Sequence, residues 1–331
     1  MDTDYPSVSI RVYPCPSVVK NPSVAVIDIG SNSIKILVAT RAPDGRIVPL
    51  KVRTLDARIS AGISKSAPRL SDEGMARGLD AIQSLLADAA AFAPARTILV
   101  ATSAVRDAVN GPDFISRVRA VTGHAIRILT GDEEANLIGR GLTCDPALSA
   151  LRDFYVFDLG GGSLECLAFR DRRIEQAVSL QLGCVRLTEK FVAEPSQPFT
   201  AFAQAAVARH TRRQLAQSGF SFSLPLSAVG VGTGGTVTTV RAIFAARAGL
   251  PLDQLDTLVS VAQLRELLAW LAPLSLAERQ KISGLPPARA DVFPTALVTL
   301  LAVSEAGNFS ALRNSLYNLR YGLAATALEN L

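Results

Sequence analysis

A duplicated α/β fold, with two related halves facing one cleft, is what this sequence predicts. Three observations predict it. The first is a phrase written twice. Asp28-Ile29-Gly30-Ser31-Asn32-Ser33 follows the apolar run Val24 to Ile27, and Asp158-Leu159-Gly160-Gly161-Gly162-Ser163 follows Tyr155 to Phe157, 130 residues later. Each copy reads as an apolar strand ending in an aspartate, then a glycine turn, a serine and a second apolar run, which is a hairpin signature. The second observation is order: meandering strands followed by helices, twice, as in an α/β protein with a cleft between halves. The third is size. At 331 residues, 49% hydrophobic and 19% charged, the chain exceeds one average domain and fills a substantial core.

The elements follow in order. Residues 1–22 carry Asp2, Asp4, Arg11 and four prolines, with no apolar signal-peptide run, and read as a flexible tail. Strands are expected near 24–29, 33–40 and 46–59, and Ser71 caps a helix running to about Ala93. Arg96 to Ala101 and Ile126 to Leu129 read as buried strands. Thr130-Gly131-Asp132-Glu133 is a capping box opening a helix toward Leu142. In the second half, strands are expected near 154–159, 163–170 and 173–180, and helices near 184–192 and 199–217. A short strand, Ala228 to Val231, leads into Gly232-Thr233-Gly234-Gly235-Thr236. Helices near 234–247, 260–271, 276–282 (capped by Ser275 and Glu278) and 288–306 come next, then a last strand at Ser315 to Leu319 and a C-terminal helix. The reading divides the chain into a first domain, 23–137, and a second, 138–331, with the last helix able to pack back on the first.

Composition excludes several classes. The four cysteines lack CxxC spacing and read as reduced, mostly buried thiols. Only two histidines, His124 and His210, are present, which removes a His-rich metal centre and leaves little for a Ser-His-Asp triad. Aromatics make up 6%, too few for a base-stacking platform, so no nucleic-acid partner is expected. The net charge of +5 favours an anionic substrate only slightly. The longest apolar stretch, Val292 to Ser304, is too short for a membrane span and contains Pro294. A cytoplasmic protein without a membrane partner is expected; a homodimer is left open.

Both hairpin tips suit phosphate. Glycine lets backbone N–H groups converge on an anion, serine adds a hydroxyl, and aspartate can hold a metal. An ordinary turn would use Asp28, Gly30, Ser31, Asn32 and Ser33 equally well. The second loop has more glycine than a turn needs, and Ser163 and Glu165 share one strand face near Asp158. Two carboxylates beside an anion-binding turn match the needs of a Mg²⁺-bridged phosphate, although Glu165 alone also reads as a solvated strand residue. In the acidic cluster Asp132-Glu133-Glu134, Glu133 completes the cap, leaving Glu134 free to orient water as a general base. Arg106 falls just past a strand end, where it would clamp phosphate or pair with Asp107 or Asp113 as a surface arginine. Gly230 to Gly235 matches GxGxxG, but no strand ending in an acid follows, so Gly234 and Gly235 read as a phosphate-facing turn. No P-loop sequence is present. Arg209, His210, Arg212 and Arg213 form a basic helix that would line a polyanion path or, the favoured reading, a solvated helix face.

These motifs resemble the exopolyphosphatase / guanosine pentaphosphate phosphohydrolase (Ppx/GppA) family of the actin-like ATPase and sugar kinase superfamily. The matching stretches are VIDIGSNSIKILV (26–38), ATSAVRDAVN (101–110), ILTGDEEANLIGRG (128–141), VFDLGGGSLE (156–165), SLQLGCVRLTE (179–189), GVGTGG (230–235), PPARADVFP (286–294) and SLYNLRYGL (315–323). The resemblance implies a duplicated actin-like (ribonuclease H-like) two-domain fold with an interdomain cleft. It also implies hydrolysis of a terminal phosphoanhydride of polyphosphate or guanosine pentaphosphate. It casts Glu134 as the water-activating base, Arg106 as the stabiliser of transition-state charge, and Asp158 and Glu165 as ligands of Mg²⁺ or Mn²⁺. Gly160 to Ser163 and Asp28 to Ser33 would face the phosphoryl group. Two departures stand out: no C-terminal HD-type extension is expected from these residues, and Phe293-Pro294-Thr295 and Tyr321 interrupt the late motifs. An ATP-dependent kinase of the same superfamily and a non-catalytic polyphosphate or alarmone sensor are the competing functions.

Overall fold

The computed structural model describes residues 21–61 and 68–331. Most of the expected tail, with Cys15, lies outside the described residues. The first lobe contains β1 (Ser23–Ile29), β2 (Ile34–Arg41), β3 (Ile47–Leu55), α1 (Asp72–Ala90), β4 (Arg96–Ala101), α2 (Ser103–Asp107), α3 (Gly111–Thr122) and β5 (Ile126–Ile128). After α4 (Gly131–Thr143), the second lobe has β6 (Phe154–Leu159), β7 (Leu164–Arg170), β8 (Arg173–Leu180), α5 (Cys184–Phe191), α6 (Ala201–Gln217), β9 (Val229–Thr233) and α7 (Gly234–Ala248). It ends with β10 (Leu258–Ser260), α8 (Val261–Leu271), α9 (Leu276–Arg279), α10 (Phe293–Ala306), β11 (Ala311–Asn314) and α11 (Leu319–Glu329).

The two sheets have the same plan. The first runs β3-β2-β1-β4-β5, the second β8-β7-β6-β9-β11 with β10 added at the edge. In each, three strands form an antiparallel meander and the next two join parallel to the first strand. That is the ribonuclease H-like arrangement, present twice, and the actin-like two-domain fold expected from the sequence.

Strand alternation sorts residues into layers. Ala25, Ile27 and Ile29 of β1 pack outward under α1 and the segments around α2 and α3. Val24 and Val26 pack inward, with Leu37, Ala39 and Val100, against Ala135, Ile138 and Leu142 of α4 and Leu323, Ala324 and Ala327 of α11. Phe154, Val156, Leu167 and Phe169 of the second sheet face the same helices from the other side. The rings of Phe154 and Phe169 stack at 4.4 Å. The outer face of the second sheet is covered by the helices of its own lobe, including α10, buried from Phe293 to Ser304. So α4 and α11 form a shared central layer. Their approach is close because Gly141 and Gly322 meet: a Cβ on either would stand 2.0 Å from a backbone carbonyl of the other helix or its cap.

Several element boundaries differ from the sequence reading. The last strand is Ala311–Asn314, not Ser315 to Leu319. Residues 311–314 pair in parallel with β9, whereas Asn318 caps α11 by accepting from the Arg320 N–H. β3 stops at Leu55, and the helix expected over 288–306 begins at Phe293, where Pro294 occupies the first turn. A 3₁₀ turn covers Pro287–Arg289. α9 is shorter than expected, although Ser275 and Glu278 form its capping box. The short α2 and β10, and the helix α3, carry no strong sequence signal. The expected division at residues 137 and 138 falls inside α4.

Candidate active site

The two hairpin tips close in the same way. Gly30 N–H donates to Ser33 O at 3.2 Å, and Gly160 N–H donates to Ser163 O at 3.0 Å. The register then repeats. Asp28 stands opposite Lys35 in the β1–β2 pair, and Asp158 stands opposite Glu165 in the β6–β7 pair. All four share parity with inward-facing apolar residues, so alternation directs them into the layer between the sheets, at the carboxyl ends of β1 and β6. The tips touch across the cleft. A Cβ on Gly162 would stand 2.2 Å from Ser103 Oγ and 2.6 Å from Ser31 Oγ, and those two hydroxyls lie 3.1 Å apart.

Between them lies a cavity of about 70 Å³, several times what one water needs. Its walls include Asp28, Gly30, Ser31, Asn32, Ser33 and Glu134 from one side and Asp158, Gly160, Gly161, Gly162, Ser163 and Gly235 from the other. Gly234 adopts φ +82°, and a Cβ there would fall 2.2 Å from Asp158 Oδ1, so glycine permits the start of α7 to close on that carboxylate. Asn32 Oδ1 is buried with no partner, an acceptor left for whatever fills the space.

Glu134 sits in the first turn of α4. Glu133 completes the capping box with Thr130 on the exposed side, while Glu134 is buried. Its Oε2 accepts from Arg106 Nη1 at 3.1 Å, and the same Nη1 donates to Leu129 O at 2.8 Å. Arg106 therefore reaches the site through Glu134. It also lies 3.6 Å from Asp107.

Burial, reinforced by Glu165, pushes the Glu134 carboxyl well above the ordinary range; Arg106 opposes this. Burial raises Asp158 to about 6, with Lys35 opposing and Asp28 adding to the rise. Burial and then Asp158 raise Glu165 to about 7, against hydrogen bonds from Ser163 and Ser179, the latter at 2.7 Å. Burial lowers the Lys35 ammonium, and Asp28 partly restores it. Burial is the largest cause of each carboxyl's rise, and crowding by neighbouring carboxylates adds to it.

That crowding fits a divalent cation. Among the described residues no group of three or more His, Cys, Asp or Glu forms a ready cage. Asp158 lines the cavity and Glu165 stands opposite it in the β6–β7 pair, so the two offer carboxylate oxygens on one side, and Mg²⁺ is usually held by one or two carboxylates with waters and phosphate completing its shell.

Sequence reasoning missed several neighbours. Lys35 lines the cavity; the duplicated phrase could have shown it, since Ser33-Ile34-Lys35 aligns with Ser163-Leu164-Glu165. Arg289 also lines it, donating to Ser33 Oγ at 3.0 Å from the opposite lobe. Its segment is held by Arg279, whose buried guanidinium donates to the carbonyls of Ala290, Pro195 and Gln197. Arg320, buried at the start of α11, donates to Ile36 O and lies near Asp28 and Asp158. His124 and His210 play no part here; His210 packs on Phe191. The described cysteines are free, and Cys184 borders the cavity.

Residues 37–331 match the model of the Ppx/GppA phosphatase family. The chain belongs to that family. It is 31% identical over 319 residues to the guanosine-5'-triphosphate,3'-diphosphate pyrophosphatase of Vibrio cholerae, in each of two strains, covering 95% of this chain. The chain spans 61% of the length of those relatives. An exopolyphosphatase structure from Cytophaga hutchinsonii superposes with TM-score 0.82 at 24% identity, over 93% of this chain and 98% of that one. The PPX-GPPA enzyme of Aquifex aeolicus gives TM-score 0.74 at 23% identity, over 92% and 99%. These two structures share the fold of this Ppx/GppA chain.

Proposed function

We propose that this chain is a metal-assisted phosphoanhydride hydrolase that removes terminal orthophosphate from inorganic polyphosphate or guanosine pentaphosphate. The observation that carries the reading is the convergence of Glu134 and Asp158 with two glycine-bearing tips around one cavity, with Glu165 paired to Asp158 just behind its wall. Family membership supports it, and the Vibrio cholerae relatives are described as pyrophosphatases of a guanosine pentaphosphate.

In this reading the terminal phosphoryl group occupies the cavity. Backbone N–H groups of the tips, the hydroxyls of Ser31, Ser33 and Ser163, and the N-termini of α4, α7 and α11 face its oxygens. Lys35 and Arg289 bring positive charge to the wall. Glu134, made basic by burial, takes a proton from the attacking water. The new P–O bond forms as the bond to the rest of the chain breaks, giving orthophosphate and a chain one unit shorter. Asp158 and Glu165 would hold Mg²⁺ or Mn²⁺, which supplies charge neutralisation on the phosphate oxygens.

The test is phosphate release measured in parallel on long polyphosphate, short polyphosphate, guanosine pentaphosphate and ATP, with and without Mg²⁺. Mg²⁺-dependent release from one of the first three supports the reading. ADP formation that requires an added acceptor would make the chain a kinase, and tight binding with no release would make it a sensor.

A further inference from the structure

The chain of side-chain contacts that leads to Glu134 crosses from one lobe to the other. Arg106 contacts Glu134 and Leu129 O through Nη1, and its Nε lies 3.6 Å from Asp107 Oδ1. The other oxygen of Asp107 accepts from Arg186 Nη2 at 2.7 Å. Arg186 belongs to α5 in the opposite lobe, and its Nε donates to Gly162 O, in the second glycine tip, at 3.1 Å. A continuous chain therefore runs from Glu134 through Arg106, Asp107 and Arg186 to Gly162. The side chains of Arg106, Asp107 and Arg186 are 23%, 19% and 14% exposed, so solvent screens them only in part.

Each link has a physical reason to matter. A free arginine side chain carries substantial rotamer entropy. Contacts at both ends of the guanidinium fix its plane before substrate arrives. Asp107, the last residue of the five-residue α2, lies at a helix end with no following turn of the same helix to fix it. Arg186 supplies that restraint, and it does so from across the cleft.

Building on the assignment of Glu134 as base, we propose that Asp107 and Arg186 are positioning residues: their ion pair across the cleft fixes Arg106 against Glu134 when the two lobes are together. Separation of the lobes would break the Arg186 contacts to Asp107 and release Arg106, so the base would be oriented only over a closed cavity.

The experiment is steady-state phosphate release from polyphosphate with Mg²⁺, using the full chain and the variants Asp107→Asn, Arg186→Gln, Arg186→Lys, the Asp107→Asn/Arg186→Gln double and Glu134→Gln. Each neutral single variant is expected to lower kcat about tenfold, with KM changed less than about threefold, because the loss is in orientation rather than binding. The double variant is expected to be no slower than the slower single, and Arg186→Lys to recover part of the rate. Melting temperatures are expected to stay within a few degrees of the parent. Single variants with parental kcat, losses that multiply in the double, or an effect confined to KM would overturn the proposal. An inactive Glu134→Gln beside fully active Asp107→Asn and Arg186→Gln would remove the positioning role alone. A fully active Glu134→Gln would remove the assignment of the base and the positioning role together.

Discussion

Lys35 and Glu165 occupy equivalent places in the two halves, each two residues past a tip serine and each paired across its hairpin with the strand-end aspartate. Duplication kept the register and reversed the charge. One lobe therefore presents a carboxylate with an ammonium, and the other presents two carboxylates. In the proposed function, this asymmetry would let one side of the cavity receive a cation and the other the anion it neutralises.

Replacing Lys35 by Met tests the first half of that relationship. The substitution keeps most of the side-chain volume and leaves Asp28 and Asp158 with Arg320 as their remaining close cation. Removing one partner from a buried charge cluster costs about 3–5 kcal/mol. Urea denaturation is expected to show a loss of that order, partly reversed by millimolar Mg²⁺. Unchanged stability would mean that Lys35 does not compensate the aspartates.

The second half predicts a pH dependence in metal-free protein. The folded-state values of Asp158, about 6, and Glu165, about 7, lie above the ordinary values of 3.8 and 4.5. The native state then binds more protons than the unfolded one between pH about 4 and 7, so stability falls as pH rises through that window. With chelator present, the melting temperature is expected to drop from pH 5 to pH 8. Added Mg²⁺ should oppose the drop at pH 8, because binding requires both acids ionised. Glu165→Gln is expected to reduce both effects.

Gly162→Ala tests the meeting of the tips. The added Cβ would overlap Ser103 Oγ and Ser31 Oγ, and neither serine is free to leave a buried position. Overpacking of this kind costs about 1–3 kcal/mol when the structure stays closed. The expected result is a modest stability loss and a much larger loss of kcat, as the lobes are wedged apart. Parental turnover would show that contact between the tips is dispensable.

Much of this site was legible from local chemistry. Asp28 and Asp158 announce themselves as acids ending apolar strands, and parity alone sends Glu165 to the same side as Ser163. Glu134 follows by elimination, since Glu133 satisfies the helix cap and leaves its neighbour unassigned. The place of Arg289 in the site was not legible, although it lies in the matching stretch 286–294. Its contact with Ser33 spans 256 residues, and no periodicity marks a 3₁₀ turn rich in proline. β11 was misplaced for a related reason: its strand character comes from parallel pairing with β9, a long-range choice that the short run Ala311 to Asn314 does not encode. The cross-lobe link from Asp107 to Arg186 likewise exists only once both lobes are folded.

Phosphate release by Glu134→Gln measures the central claim most directly. Gln retains the shape and can still meet Arg106 through its amide oxygen, but it cannot take a proton. With Mg²⁺ and saturating polyphosphate or guanosine pentaphosphate, kcat is expected to fall about 100-fold or more while the melting temperature holds or rises. Turnover at the parental rate would contradict the account.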